Sequence, residues 1–230
     1  MRCLLAIVCA ALLAGCAVDA RPGPFAVAPE RTLPAGSPVG LPAPNGSRLV
    51  LPADIDARRA PGRKYAPLQL FDGRYLRWER GRLALVSGSR EFSAREASLF
   101  AEAVAEVNAA IGRPVFATSA PAPDAVPVSA EAEGAPGVQA YVEFTLRNAV
   151  ERGGYLEARI ALNVGMLRAS APDGPAYESL FKVVALHELG HIAGLDHDPE
   201  IGTLMHIGRD PAATTFSRAE LDALRLLYGT

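Results

Sequence analysis

Cysteine is scarce in this chain and is confined to its beginning. Among 230 residues there are three cysteines, Cys3, Cys9 and Cys16, and none follows them. The sequence after Cys16 therefore cannot build a disulfide framework, and it offers no thiolate that could cap a metal ion from within a propeptide.

An excess of charge of either sign is also lacking. The 23 lysines and arginines nearly balance the 25 aspartates and glutamates, which leaves a formal net charge of -2. Neither a nucleic-acid partner nor a polybasic contact with a membrane surface is expected from this balance. Half of the residues are hydrophobic, so the chain is long and apolar enough for one well-formed core.

A hydrophobic run long enough to cross a bilayer is missing too. The apolar run from Cys3 to Val18 falls short of the ~20 residues that a transmembrane helix needs, and it suits the apolar region of a secretory signal better. It ends in Leu13-Ala14-Gly15-Cys16, which resembles a bacterial lipoprotein signal. We therefore expect a signal peptide at 1–15 and lipidation of Cys16, with an ordinary signal peptide or a buried helix as alternatives.

The resemblance to lipoprotein sorting also implies a location. Ala17 stands at the second position of the mature chain, where aspartate would favour the inner membrane. The expected place is the outer membrane of a Gram-negative bacterium, facing either the periplasm or the outside, with the protein held by its acyl chains.

Proline marks the next segment as a tether. Between Arg21 and Pro67 the chain carries 10 of its 19 prolines, mixed with glycine, alanine and serine. Such a sequence has little to bury, so an extended tether is predicted at 16–64 and a folded domain at 65–230. The alternative is a propeptide in which an aspartate caps a metal ion, and the candidates are Asp54, Asp56 and Asp72.

The folded part is predicted to be α+β, with strands and a helix first and two helices later. Helix signals include the capping-box pairs Ser93/Glu96 and Ser217/Glu220 and the stop at Gly112. Strands are expected at 74–78, 83–86, 114–117, 138–146 and 155–164, and helices at 93–111, 176–192 and 217–228.

Three of the four histidines fall within HELGHIAGLDH, residues 187–197. On a helix His187 and His191 share one face and can bind one ion. Gly194 permits the sharp turn that brings back His197 as a third ligand. Three imidazoles leave a fourth position for water, as in catalytic zinc sites, and Glu188 is placed to act on that water without binding the metal. Chance occurrence or ordinary core histidines are the alternative, but the full spacing is far more demanding than HExxH alone.

This string resembles that of the metzincin metallopeptidases, and its surroundings are similar to the matrixin branch. ARIALN is similar to the matrixin strand before the helix, and FSRAELDALRLLYG to the matrixin C-terminal helix. The resemblance implies a zincin-type domain with a mixed twisted sheet, a long helix in the N-terminal lobe, an active-site helix, a methionine turn and a C-terminal helix. Met205 would be the turn methionine that floors the metal site; ordinary core packing is the alternative.

The sequence departs from relatives within that group at several positions. Asp198 follows the third histidine, where vertebrate matrixins usually have serine. Ile207 stands where some metzincins carry a metal-binding tyrosine, so no fifth ligand is expected. His206, the remaining histidine, either lines the cleft or faces solvent. One catalytic zinc ion is expected; calcium sites are possible but no acidic loop has the spacing for them.

These residues predict a zinc endopeptidase in which Glu188 takes a proton from the attacking water and returns it to the leaving amine. Because neutral imidazoles are the ligands, activity should be lost below roughly pH 5–6. A non-catalytic binding lipoprotein and a zinc hydrolase of peptidoglycan peptides are the alternatives. The expected partners are a protein or peptide substrate and, through lipid, the membrane; the expected state is a monomer.

Overall fold

The structure is a computed structural model that describes residues 47–71, 73–78, 84–87, 91–119, 125–131, 139–147, 155–171, 174–208 and 212–230. The predicted signal peptide at 1–15, Cys16 and the tether up to residue 46 lie outside the described residues, as does Asp72.

The described part of the chain contains eight strands and five helices, which confirms the α+β prediction at the level of fold class. In chain order the elements are β1 Ser47–Val50, α1 Pro52–Asp56, β2 Leu70–Phe71, β3 Arg74–Trp78, β4 Ala84–Ser87, α2 Ala94–Ile111, β5 Phe116–Ser119, β6 Val128–Glu131, β7 Ala140–Arg147, β8 Tyr155–Asn163, α3 Val164–Ser170, α4 Gly174–Ile192 and α5 Arg218–Tyr228.

The described strands form three small sheets: one antiparallel, one parallel and one mixed. Strand β3 lies between β1 and β2 and is antiparallel to both. β4 pairs in parallel with β5, and β8 lies between a parallel β6 and an antiparallel β7. A parallel bridge between Val86 and Val126 brings β4 alongside the residues that enter β6. Strand β7 is therefore the last strand at one side of its sheet in the described part of the chain.

Both predicted capping boxes are present. Ser93 accepts a hydrogen bond from the Glu96 backbone N–H and Glu96 bonds back to the Ser93 N–H, and Ser217 and Glu220 repeat this arrangement at α5. Gly112 ends α2 with φ of 88°, the left-handed conformation that costs glycine least. Phe100, Val104, Val107 and Ile111 form a buried apolar face of α2, which packs on α4 in the core.

The fold begins before Tyr65, which differs from the predicted domain boundary. β1 pairs with β3 from Ser47 to Val50, and Ile55 of α1 is fully buried in the core cluster. Prolines on either side give residues 47–64 the composition of a tether. Val50 and Ile55 nevertheless join the core cluster, so this segment belongs to the fold.

Three further elements were absent from the prediction: the two-residue strand β2, the strand β6 and the helix α3. Strand β6 lies between the strands predicted at 114–117 and 138–146, and its buried Val128 and Ala130 alternate with half-buried Ser129 and Glu131. Helix α3 follows β8 directly and is capped by Asn163, whose side chain accepts from the Met166 N–H. No helix in the described ranges is both long and apolar enough to cross a membrane.

Candidate metal centre

Three histidines meet at the end of α4. His187 and His191 lie one turn apart on this helix and are buried, and His197 follows in the next loop and is half-buried. Their ring centroids are 4.7 to 5.4 Å apart, and one ligand atom from each lies within 4.8 Å of the other two. The structure therefore brings together the three residues that the sequence singled out as metal ligands.

Hydrogen bonds fix which nitrogen each helical histidine offers. Nδ1 of His187 lies 2.8 Å from the Leu204 carbonyl oxygen, and Nδ1 of His191 lies 2.9 Å from that of Leu195. A carbonyl oxygen can only accept, so both Nδ1 atoms carry the proton and both Nε2 atoms expose a lone pair. The Nε2 atoms of all three histidines are buried and have no hydrogen-bond partner. Buried polar atoms normally have partners, so three converging lone pairs fit a metal ion.

The turn after α4 places His197 close to the two histidines of the helix. Gly194 has φ of 102°; its N–H bonds to the His191 carbonyl and the Leu195 N–H bonds to the Gly190 carbonyl, which is the Schellman arrangement. A Cβ on Gly194 would lie 2.7 Å from the Leu76 backbone oxygen. Glycine is therefore required here both for its backbone conformation and for its small size.

Two distant side chains hold the end of α4. The indole N–H of Trp78 donates to the Ile192 carbonyl at 2.7 Å, and the Tyr228 hydroxyl donates to the Ala193 carbonyl at 3.2 Å. The last carbonyls of a helix have no partner within the helix, so these bonds from β3 and α5 satisfy them and fix where the helix ends.

Met205 packs against the helix that carries His187 and His191. It is fully buried, and its sulfur packs so closely on Gly190 that a Cβ there would lie 2.5 Å from it. Its carbonyl accepts from the Asp198 N–H at 2.9 Å. Met205 thus packs against the helix that carries two histidines and bonds to the residue that follows the third.

Glu220 positions Met205, a role that the sequence did not reveal. This carboxylate is fully buried; one oxygen accepts from the Met205 N–H at 2.7 Å and the other from the Ser217 N–H. The capping-box pattern predicted the second bond only. The first bond joins α5 to the turn over 15 residues, and no local pattern indicates it.

Glu188 is fully buried beside His187 on α4. As the neighbour of the first ligand it points in a different direction from the two histidines, which share a face of the helix. A buried carboxylate next to a group of three neutral imidazoles is suited to exchange protons with a water molecule there.

Burial sets the protonation state of the histidines. It lowers the pKa of His187 from 6.5 to about 4, against an opposing effect of the hydrogen bond to Leu204. Burial also holds the pKa of His191 well below its usual value and lowers that of His197, where Asp196 opposes the shift. The imidazoles are therefore neutral at pH 7, which is the form that binds metal.

The other predicted site residues lie around this centre or outside it. Asp198 is buried and accepts from the Glu200 N–H at 2.9 Å, while Ile207 is 54% exposed. His206 is half-buried and its Nδ1 accepts from the Gly208 N–H. Asp54 and Asp56 are exposed in α1, and neither belongs to the metal-binding group found among the described residues.

Comparison with known proteins adds little to this geometry. No family model matches the sequence, and no curated protein matches it. One solved structure that matches is described as "GM1 bound form of the ECX AB5 holotoxin"; the match has 14% identity and a TM-score of 0.40, and covers 63% of this chain and 80% of that one. A likeness this weak carries no argument about fold or function.

Proposed function

We propose that this chain is a zinc-dependent endopeptidase of the metzincin type, similar to its matrixin branch. The observation that carries the proposal is the convergence of three buried, unpartnered Nε2 atoms from His187, His191 and His197. Imidazole nitrogen is a preferred zinc donor, and three protein ligands are the number found in catalytic zinc sites.

The strand arrangement supports the same reading. In the described part of the chain, β7 lies at the edge of its sheet and is antiparallel to β8. The chain continues from β8 through α3 to α4, the helix that carries two of the histidines. An extended peptide binds such an edge by adding a strand through backbone hydrogen bonds. We infer that the substrate is a protein or peptide that lies along β7, which would bring its backbone past the metal centre.

The chemistry divides between the ion and the protein. When bound, zinc would polarise the scissile carbonyl and favour ionisation of a water molecule. Glu188 accepts the proton of the attacking water and then donates it to the departing amine nitrogen. His187 and His191 keep their Nδ1 protons on the Leu204 and Leu195 carbonyls, so their Nε2 atoms stay directed at the ion.

A cleavage profile on a mixed peptide library tests the proposal. The zinc-loaded wild type should cut peptides, and Glu188→Gln should bind zinc equally but lose roughly 10²–10⁴-fold in rate, the usual contribution of a general base. Glu102→Gln, which changes an exposed glutamate of α2, is the matched control and should cut like the wild type.

Muropeptides assayed beside proteins separate the alternatives. Cleavage of muropeptides alone would identify a peptidoglycan hydrolase with the same chemistry. Bound zinc without cleavage of either substrate, by wild type or variant, would contradict endopeptidase activity and favour a binding protein.

We further propose that the enzyme is anchored at the bacterial envelope through lipid on Cys16. The support is the Leu13-Ala14-Gly15-Cys16 sequence. A Cys16→Ser variant should move from the membrane fraction to the soluble one, and an unchanged membrane fraction would contradict the anchor.

A further inference from the structure

The segment at residues 66–69, here called the strap, runs along the turn between the second and third histidines. Leu68 forms an antiparallel bridge with Leu195. The Gln69 N–H donates to the Gly194 carbonyl at 2.9 Å, and the Asp196 N–H donates to the Pro67 carbonyl at 3.0 Å. The strap is tied to α5 as well, because the Ala66 N–H donates to the Ala219 carbonyl at 3.0 Å.

At the end of the strap the Gln69 side chain reaches the metal centre. Gln69 is 5% exposed, and its amide nitrogen, Nε2, lies 3.2 Å from Nδ1 of His191. A polar side chain this deeply buried at a ligand's second nitrogen is a common feature of metal sites, where such partners fix the ring orientation and tautomer.

The partners of His191 determine which end of the amide faces it. Nδ1 already donates to the Leu195 carbonyl, so it carries a proton and cannot accept from an amide NH2 group. The amide group of a glutamine can be rotated by 180° so that its oxygen and nitrogen exchange places, and the hydrogen-bond network decides between the two orientations. The amide oxygen, which otherwise has no hydrogen-bond partner, then meets the Nδ1 proton.

We propose that Gln69 is a positioning residue for the metal centre: its amide oxygen shares the Nδ1 proton of His191 with the Leu195 carbonyl and so aims Nε2 at the ion. The inference rests on the proposed metal site, and it adds a part of the chain 122 residues away from His191. The strap's three backbone hydrogen bonds, two to the loop after α4 and one to α5, hold the amide in place.

Zinc affinity, measured on the full chain by competition with a chelating dye, tests this assignment. Gln69→Leu keeps the size of the side chain but removes the oxygen, so affinity should fall by about tenfold, the low end for such outer partners because the Leu195 carbonyl remains. Gln69→Glu keeps an acceptor and should bind zinc at least as tightly as the wild type.

Leu68→Ala is the matched control within the strap. Leu68 is buried, so its truncation removes apolar packing and lowers the midpoint of thermal unfolding, yet it leaves the Gln69 amide intact. Zinc affinity should change less in Leu68→Ala than in Gln69→Leu. Equal losses in these two variants would overturn the proposal, as would equal losses in Gln69→Leu and Gln69→Glu or no loss in either.

Nitrogen NMR of the metal-free protein reports which ring nitrogen of His191 carries the proton, and this measurement does not depend on zinc. The His191 ring should be the tautomer with the proton on Nδ1, and that signal should move in Gln69→Leu. A His191 proton on Nε2 would overturn the proposal. If the wild type binds no zinc, the proposed function fails. The tautomer of His191 still tests whether Gln69 can accept a hydrogen bond from its Nδ1.

Discussion

At the scale of single residues, the close contact between Gly190 and Met205 is the most demanding feature of the centre. Gly190 lies one residue before His191, and a Cβ there would meet the Met205 sulfur at 2.5 Å and the Phe216 ring at 3.5 Å. Because Met205 is fully buried, it cannot swing into solvent to make room. The small size of Gly190 thus allows the methionine to pack directly under the ligand helix.

Gly190→Ala should therefore destabilise the protein. Inserting one carbon into this contact should lower the free energy of unfolding by about 1–3 kcal/mol, the usual cost of overpacking, and weaken zinc binding as Met205 shifts. Urea unfolding of the metal-free protein and dye competition measure the two effects.

Gly174→Ala is the matched control for that substitution. It makes the same change in the same helix, at a position where, apart from its chain neighbours, a Cβ meets nothing within 4 Å. Alanine has the higher helix propensity but is disfavoured before Pro175, so any change in stability should be small beside that of Gly190→Ala. Equal behaviour of the two variants would show that the contact with Met205 does not constrain position 190.

The three histidines could be singled out from the sequence, and the residues that support them could not. A periodic string revealed His187, His191 and His197 because residues four apart on a helix must share a face. Gln69 comes from a strap 122 residues earlier, and no spacing rule connects it to His191. Only packing of the whole chain brings the two together.

At the scale of elements, α5 both caps itself and holds the methionine turn. Its Glu220 accepts from the N–H groups of Ser217 and Met205, and its Tyr228 donates to the end of α4. One short helix therefore positions both Met205 and the end of the helix that carries His187 and His191.

Glu220→Ala should affect the centre from a distance. It leaves the buried Met205 N–H without its partner, at a cost of about 1–3 kcal/mol, and should reduce zinc affinity by freeing the turn. Urea unfolding and dye competition again supply the two measurements.

Glu96→Ala, the same change in the capping box of α2, provides the comparison. It should destabilise the protein as well, because Glu96 is buried and bound by Arg168 at 2.8 Å and by Tyr177. Its zinc affinity should remain close to that of the wild type. A loss of zinc affinity as large as in Glu220→Ala would contradict a specific link between α5 and the turn.

Elements with local signals were predicted well, and elements that depend on distant pairing were missed. Both capping boxes specify helix starts within four residues, so α2 and α5 could be located from sequence. The four-residue strand β1 is stabilised by pairing with β3, and β6 by its parallel pairing with β8. Proline-rich neighbours gave both strands the composition of loops.

At the scale of the whole molecule, acid should weaken the fold through the buried histidines. Burial lowers the pKa of His187 from 6.5 to about 4 and lowers those of His191 and His197. Below pH 6.5 the unfolded chain therefore binds protons that the folded chain does not. The free energy of unfolding consequently decreases as the pH is lowered. The same protons compete with zinc.

Unfolding of the metal-free protein between pH 7.5 and 4.5 measures this effect. The free energy of unfolding should decline as the pH falls, and His187→Asn should flatten the decline. Glu96 acts at lower pH: burial alone would raise its pKa, but hydrogen bonds from Tyr177, Ser93 and Arg168 lower it from 4.5 to about 2. Its stabilisation is lost only below pH 4.5, so a flat profile between pH 7.5 and 4.5 would contradict the histidine assignment.

The measurement that tests the metal centre most directly is zinc X-ray absorption on the purified full-length protein, with the zinc content of the same sample. We expect one zinc per chain bound by three imidazole nitrogens at about 2.0–2.1 Å, and a loss of one imidazole in His197→Ala. A chain without stoichiometric zinc, or a zinc ion with fewer than three imidazoles, would contradict the assignment of His187, His191 and His197 as the ligands of a catalytic site.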